Sequence, residues 1–137
     1  MRKILRHLKK PRAILGITFV TDREIKRLNR VYRKKNRTTD VLSFPLMDTS
    51  FQPFPLWGEG GRRRRTGEGK IPVLLGDVVI SLDTAARQAK EKKWPVRSEI
   101  LFLMIHGILH LLGYDHVKKR DWVRMKKREE KLWRLCQ

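Results

Sequence analysis

The feature that most constrains the fold is an apolar segment at residues 100–112, whose 13 residues include two histidines and a glycine. Ser98 can cap a helix that runs from Glu99 to Leu112, and Gly113 can adopt the left-handed conformation at which such a helix ends. Because the helix is apolar on nearly all sides, other elements must cover it. It is shorter than the roughly 20 apolar residues that cross a bilayer. The segment therefore predicts a central buried helix and no membrane span.

The flanking segments predict strands and helices in mixed order. Strands are expected at residues 15–20, 41–44 and 74–80, where β-branched and apolar residues cluster. A capping box at Thr21 and Glu24 predicts a helix that turns Ile25, Leu28 and Tyr32 towards a core. Further helices are expected at the basic N-terminus, from Ser81 to about residue 93, and at about residues 118–136, the last with Trp122, Met125, Leu132 and Cys136 on one side.

Residues 47–70 break this pattern and predict a long basic loop. They are rich in proline and glycine and contain the consecutive arginines Arg62, Arg63, Arg64 and Arg65. The run of arginines either contacts RNA phosphates or is a solvated surface. Strands and helices do not alternate strictly, so we expect an α+β fold, and the length predicts one domain over residues 1–137.

The charge balance points to a polyanionic partner. The chain has 33 Lys and Arg against 14 Asp and Glu, a net charge of +19, with a sequence pI near 11.0. Its 40% hydrophobic content is enough for a core and argues against a mainly disordered chain. RNA and anionic membrane surfaces both suit such a charge. The single cysteine, Cys136, excludes an internal disulfide and favours a reducing, cytoplasmic setting.

Three histidines predict a metal site. His106 and His110 are four residues apart and share one face of a helix, and a turn at Gly113 can bring His116 back towards them. Three imidazoles leave a fourth position for water, as in catalytic zinc sites, where the pKa of that water falls towards about 7. The spacing is that of the metzincin proteases, but Gly107 replaces their general-base glutamate, which weakens a protease reading. A single histidine at such a position would more often be a core residue with hydrogen-bonded ring nitrogens than a metal ligand.

Three blocks of sequence resemble the YbeY family of bacterial endoribonucleases. The first is the run H-G-I-L-H-L-L-G-Y-D-H at 106–116, and the second joins L-N-R-V-Y-R at 28–33 to T-D-V-L-S-F-P at 39–45. The third is L-G-D-V-V-I-S at 75–81. The blocks occur in family order and the likeness covers nearly the whole chain. Lys34 and Asn36 depart from the family, which usually has Gly and Asp there, and the loop at 55–70 is unusually long and basic.

The resemblance implies a zincin-like α+β fold with a small mixed sheet. It also implies one zinc ion per chain, held by His106, His110 and His116. It implies cleavage of single-stranded RNA, a role at the 3′ end of 16S ribosomal RNA on the small subunit, and a part in ribosome quality control. Arg33 matches an arginine of the family's motif and is the candidate for binding the scissile phosphate, since guanidinium forms a planar fork with phosphate oxygens.

Several alternatives stay open. Capping or strand-end roles are the simpler expectation for four other polar residues near these motifs, Asn29, Asp40, Ser43 and Asp77. Asp115 either orients a histidine or is an ordinary turn residue. The sequence identifies no general base. The main alternative function is a non-catalytic, zinc-stabilised RNA- or ribosome-binding protein.

Overall fold

The computed structural model describes residues 1–46, 73–114 and 118–137. Within these residues a three-stranded sheet packs with five helices, which confirms the α+β class. The predicted loop at 47–70 with its four arginines, and also Asp115 and His116, lie outside the described residues. The elements in chain order are α1 (Arg2–His7), β1 (Ala13–Val20), α2 (Asp22–Arg33), β2 (Val41–Pro45), β3 (Val73–Ser81), α3 (Leu82–Lys92), α4 (Val96–Leu111) and α5 (Lys119–Cys136).

The sheet has the order β1-β3-β2, so the last strand in sequence lies in the middle. β3 is parallel to β1 and antiparallel to β2, with Ser43 of β2 opposite Val78 of β3. Val78 and Ile80 are fully buried, as expected for a central strand. Successive residues of β3 face opposite sides of the sheet: Val79 clusters with Ile25 of α2, whereas Val78 and Ile80 cluster with the helix that covers the other face.

That covering helix is α4, the predicted central helix. Its buried residues include Leu103, Ile105, Ile108 and Leu109, which pack in clusters with residues of α1, β3 and α5. Gly107 faces β3, where a Cβ atom would lie only 2.5 Å from Cγ1 of Val78. The close contact between α4 and the sheet therefore depends on a glycine at this position.

The start of α4 differs from the prediction. The helix begins at Val96 with Pro95 at the N-cap, so Ser98 is inside the first turn and does not cap it. The Pro95 carbonyl accepts hydrogen bonds from the backbone N–H groups of Ser98 (2.9 Å) and Glu99 (3.3 Å). Proline suits this place because its fixed φ, here −61°, is compatible with a helix start.

The cap of α2 is confirmed in part. Oγ1 of Thr21 accepts from the backbone N–H of Glu24 at 3.3 Å. The carboxylate of Glu24 was expected to bond back to Thr21, but it instead receives two hydrogen bonds from the guanidinium of Arg27, one turn further along. Ser81 caps α3 as predicted, through a hydrogen bond from the backbone N–H of Thr84.

Two aromatic residues predicted to face the core are exposed. Ile25 is fully buried on α2, but Tyr32 is 65% exposed and meets Phe44 edge-on at 5.3 Å. The buried place next to Ile25 is taken by Asn29, one turn along the helix, which holds the following loop through the Arg37 carbonyl. Trp122 is likewise about half exposed, because it lies in the first turn of α5, before the buried stripe begins.

In the parts of the chain that the structure describes, every helix is too short or too polar to span a membrane.

Candidate functional site

A cleft of about 690 Å³ opens between α4 and the segment that connects α2 to β2. One wall carries His106 and His110, and the opposite wall carries Arg33 and Lys35. The cleft thus joins two of the predicted metal ligands to the predicted phosphate-binding arginine. Its lining also includes Thr39, Asp40, Val41, Ser43, Pro45, Gly113 and Tyr114.

The two histidines converge as their spacing predicts. They are one turn apart on α4, and their Nε2 atoms are 3.0 Å apart. The ring centroids are 4.6 Å apart with the planes at 71°, so the two rings meet edge to face. Gly113 has a φ of +87°, which confirms the left-handed stop after α4. The position of the third predicted ligand, His116, is outside the described residues.

A carboxylate that the sequence analysis missed supports His106 from behind. Oε1 of Glu129, on α5, lies 2.5 Å from Nδ1 of His106. The Glu129 side chain is only 4% exposed. Burial alone raises the pKa of Glu129, but the hydrogen bond and charge of His106, together with Lys126, outweigh it and the pKa is lowered. One sequence signal was available: Glu129 follows Met125 by four residues and precedes Leu132 by three, so an acidic residue falls on the buried stripe of α5.

Arg33 reaches the cleft from the last turn of α2. Its Nη2 donates a hydrogen bond to the backbone carbonyl of Ser43 at 2.9 Å, which orients the guanidinium along the cleft wall. The backbone turns sharply directly after it, because Lys34 adopts the left-handed conformation with φ 58° and ψ 26°. Arg33, the predicted phosphate-binding residue, therefore lines the same cleft as His106 and His110, and its role stays a prediction.

Ser43 links the two walls of the cleft. It is buried, and its Oγ donates to the backbone carbonyl of Gly107 at 3.0 Å. Asp40 also lines the cleft, but its carboxylate accepts from the backbone N–H of Val41 at 2.8 Å and from Gln88 at 3.1 Å. The contact of Asp40 with Val41 is the expected strand-end role, whereas Ser43 lies in the middle of β2 and joins this strand to α4.

The other two polar residues of the motifs have structural positions as well. Asn29 is buried and binds the Arg37 carbonyl through its side-chain amide at 2.9 Å. Asp77 pairs with Gly16 in the sheet, and its Oδ1 occupies the space that a Cβ of Gly16 would need. Neither side chain lines the cleft.

The donor set fits a zinc ion. Imidazole nitrogens are preferred zinc ligands, and a histidine that ligates zinc usually donates its other N–H to a carboxylate, as the Glu129 contact allows. Among the described residues no group of three or more His, Cys, Asp or Glu side chains forms a metal site. The third ligand therefore stays a prediction on His116.

The sequence comparisons with known proteins identify the same family. The sequence profile described as "Endoribonuclease YbeY" matches residues 1–137. Curated relatives carry the same name. One from Alkaliphilus metalliredigens is 46% identical over 116 residues, which are 85% of this chain and 66% of the relative. One from Myxococcus xanthus is 48% identical over 118 residues, or 86% of this chain and 35% of the relative. One from Syntrophotalea carbinolica is 41% identical over 134 residues, or 96% of this chain and 79% of the relative.

The chain thus spans 66% and 35% of the length of the first two relatives. A solution structure of a Thermotoga maritima protein matches 96% of this chain and 82% of its own, with a TM-score of 0.50 and 28% identity. The fold, the histidine pair and the sequence matches agree: this chain belongs to the YbeY endoribonuclease family.

Proposed function

We propose that residues 1–137 form a single zincin-like domain that acts as a zinc-dependent endoribonuclease on single-stranded RNA. The proposed role is maturation of the 3′ end of 16S ribosomal RNA on the small subunit, together with ribosome quality control, in the cytoplasm. The observation that carries the proposal is the convergence of His106 and His110, with Nε2 atoms 3.0 Å apart, in the same cleft as Arg33. Membership of the YbeY family supports the choice of RNA as the substrate.

In this proposal α4 is the metal-binding helix. His106 and His110 hold one zinc ion per chain together with His116. When bound, zinc supplies Lewis acidity towards a phosphoryl oxygen and acidifies a water molecule. Gly107, where the metzincins carry a glutamate, faces β3 without room for a side chain, and this argues against peptide hydrolysis by the metzincin mechanism.

Arg33 binds the phosphate. A guanidinium has five N–H donors, and one of those on Arg33 is used on the Ser43 carbonyl, which holds the group in place. The remaining donors suit the nonbridging oxygens of a phosphodiester as negative charge develops there. Lys35 adds a second positive charge to the same wall, and the net charge of +19 attracts RNA to the cleft.

The test compares two arginines of α2. Arg33→Ala should bind zinc and fold normally but cleave single-stranded RNA about 10²–10³ times more slowly, the usual loss for one such donor. Arg33→Lys should rescue poorly, because an ammonium group lacks the fork. Arg30→Ala is the matched control, since it removes the same charge from an exposed position that does not line the cleft.

The outcomes separate the possible functions. Equal cleavage by the Arg33 and Arg30 variants at saturating RNA removes the catalytic role of Arg33. If the wild-type protein binds one zinc ion and RNA but shows no cleavage that a chelator abolishes, it is the non-catalytic zinc-stabilised RNA- or ribosome-binding protein. If metal content is the same in His110→Ala as in the wild type, the proposed metal site is wrong.

A further inference from the structure

We infer that Glu129 is a positioning residue that fixes the tautomer and the ring orientation of His106. The contact joins Oε1 of Glu129 to Nδ1 of His106 at 2.5 Å, across the interface between α5 and α4. The opposite nitrogen, Nε2, faces the cleft and the imidazole of His110. Glu129 thus acts through His106 and not on the substrate.

The tautomer follows from hydrogen-bond chemistry. A carboxylate only accepts hydrogen bonds, so the nitrogen that contacts it must carry the proton. A neutral imidazole has a single N–H, and with that proton on Nδ1 the lone pair is on Nε2. Glu129 therefore selects the form of His106 that presents a ligand atom to the cleft.

The packing around Glu129 holds it in this role. Its side chain is 4% exposed, and it lies on the same stripe of α5 as the buried residues Met125 and Leu132. Its second oxygen, Oε2, is 3.6 Å from Nζ of Lys126, which supplies a compensating charge. The carboxylate is thus kept in one place, and so is the ring that it contacts.

A second buried glutamate shows what a purely structural carboxylate looks like in this fold. Glu99 is fully buried, and its oxygens accept from Nζ of Lys92 at 2.8 and 2.9 Å and from Nε1 of Trp94 at 2.8 Å. All these partners are ordinary fixed donors, and none of them lines the cleft. Glu129 differs because its short hydrogen bond goes to a residue of the candidate site.

The experiment measures zinc affinity by competition with a chelator, at constant pH, on folded protein. Glu129→Ala should weaken zinc binding about 10–100-fold, the usual effect of removing the partner of a ligating histidine. Glu129→Gln should lose less zinc affinity, because its amide oxygen can still accept a hydrogen bond from Nδ1 of His106. The control is Glu130→Gln, which changes the same charge one residue away, at an exposed side chain paired with Arg134. It should bind zinc like the wild type.

The inference rests on the proposed function, and the two fail in different ways. A wild-type protein that binds no zinc overturns the proposed function. A wild type that binds zinc, with Glu129→Ala binding it equally well, overturns the positioning role, even if that variant is less stable to urea. If Glu129→Ala does not fold, Glu129→Gln decides: affinity below that of Glu130→Gln supports the role and equal affinity refutes it.

Discussion

Replacing Gly107 with alanine tests whether this residue sets the distance between α4 and the sheet. The new Cβ would lie 2.5 Å from Cγ1 of Val78, and real Cβ atoms essentially never approach a neighbour closer than 3.0 Å. Overpacking of a core typically costs about 1–3 kcal/mol. Alanine is better than glycine in a helix by about 1 kcal/mol, which offsets part of that cost. We therefore expect Gly107→Ala to lower the free energy of unfolding by up to about 2 kcal/mol.

The same substitution in a Val78→Ala background should have the opposite sign. Val78→Ala removes both methyl groups that crowd the position and leaves the Oγ of Ser43, 3.2 Å away, as the remaining tight contact, so that the helix preference of alanine outweighs a smaller clash. Gly107→Ala should then raise the free energy of unfolding by up to about 1 kcal/mol. Urea unfolding of the wild type, the two single variants and the double variant gives the coupling free energy between positions 78 and 107. Destabilisation of equal size in both backgrounds would refute the steric argument.

Three further predictions concern stability and binding. Burial raises the pKa of Asp22, but hydrogen bonds from Ser81, Thr84 and Arg87 outweigh it and lower the pKa from 3.8 to about 2. The carboxylate therefore stabilises the fold above the unfolded pKa, and urea titrations should show that Asp22→Asn loses less free energy of unfolding than the wild type as pH falls from about 4 to 2. Lys34→Gly should raise the free energy of unfolding by about 1 kcal/mol. The left-handed backbone costs a residue with a Cβ roughly 1–2 kcal/mol, and the larger entropy that glycine loses on folding cancels only part of this gain. An unchanged urea midpoint would contradict this prediction. RNA affinity should fall steeply with salt because the net charge is +19, and a flat log–log plot of affinity against salt contradicts it.

The sequence predicts those features that depend on residues close together in the chain. The apolar segment around His106 and His110 predicts a buried helix because its composition leaves no solvated face, and the four-residue spacing fixes the shared face of the two imidazoles. Lys34 stands where the family usually has glycine, and its left-handed backbone gives the physical reason for a glycine there.

Features that depend on how helices and strands pack against each other could not be predicted from the sequence. Glu129 is 23 positions from His106, and only the docking of α5 on α4 brings the two together. Tyr32 lies at the helical spacing of the apolar residues of α2, but this spacing does not show how far along the helix the core extends. The turn at Gly113 is confirmed, whereas the return of His116 to the cleft stays a prediction.

The hydrogen bond between Ser43 and Gly107 joins residues 64 positions apart, and this separation has a consequence for the order of assembly. The paired imidazoles need α4, on which both lie, and α5, whose Glu129 contacts His106. The arginine wall needs β2 docked beside β3, and such long-range pairing forms only after the entropy of closing a long stretch of chain has been overcome. A chain with α4 and α5 packed together and β2 undocked would keep the imidazole pair and lack the arginine. Under the proposed function, metal retention would therefore be a lenient measure of correct refolding, and turnover of RNA a strict one.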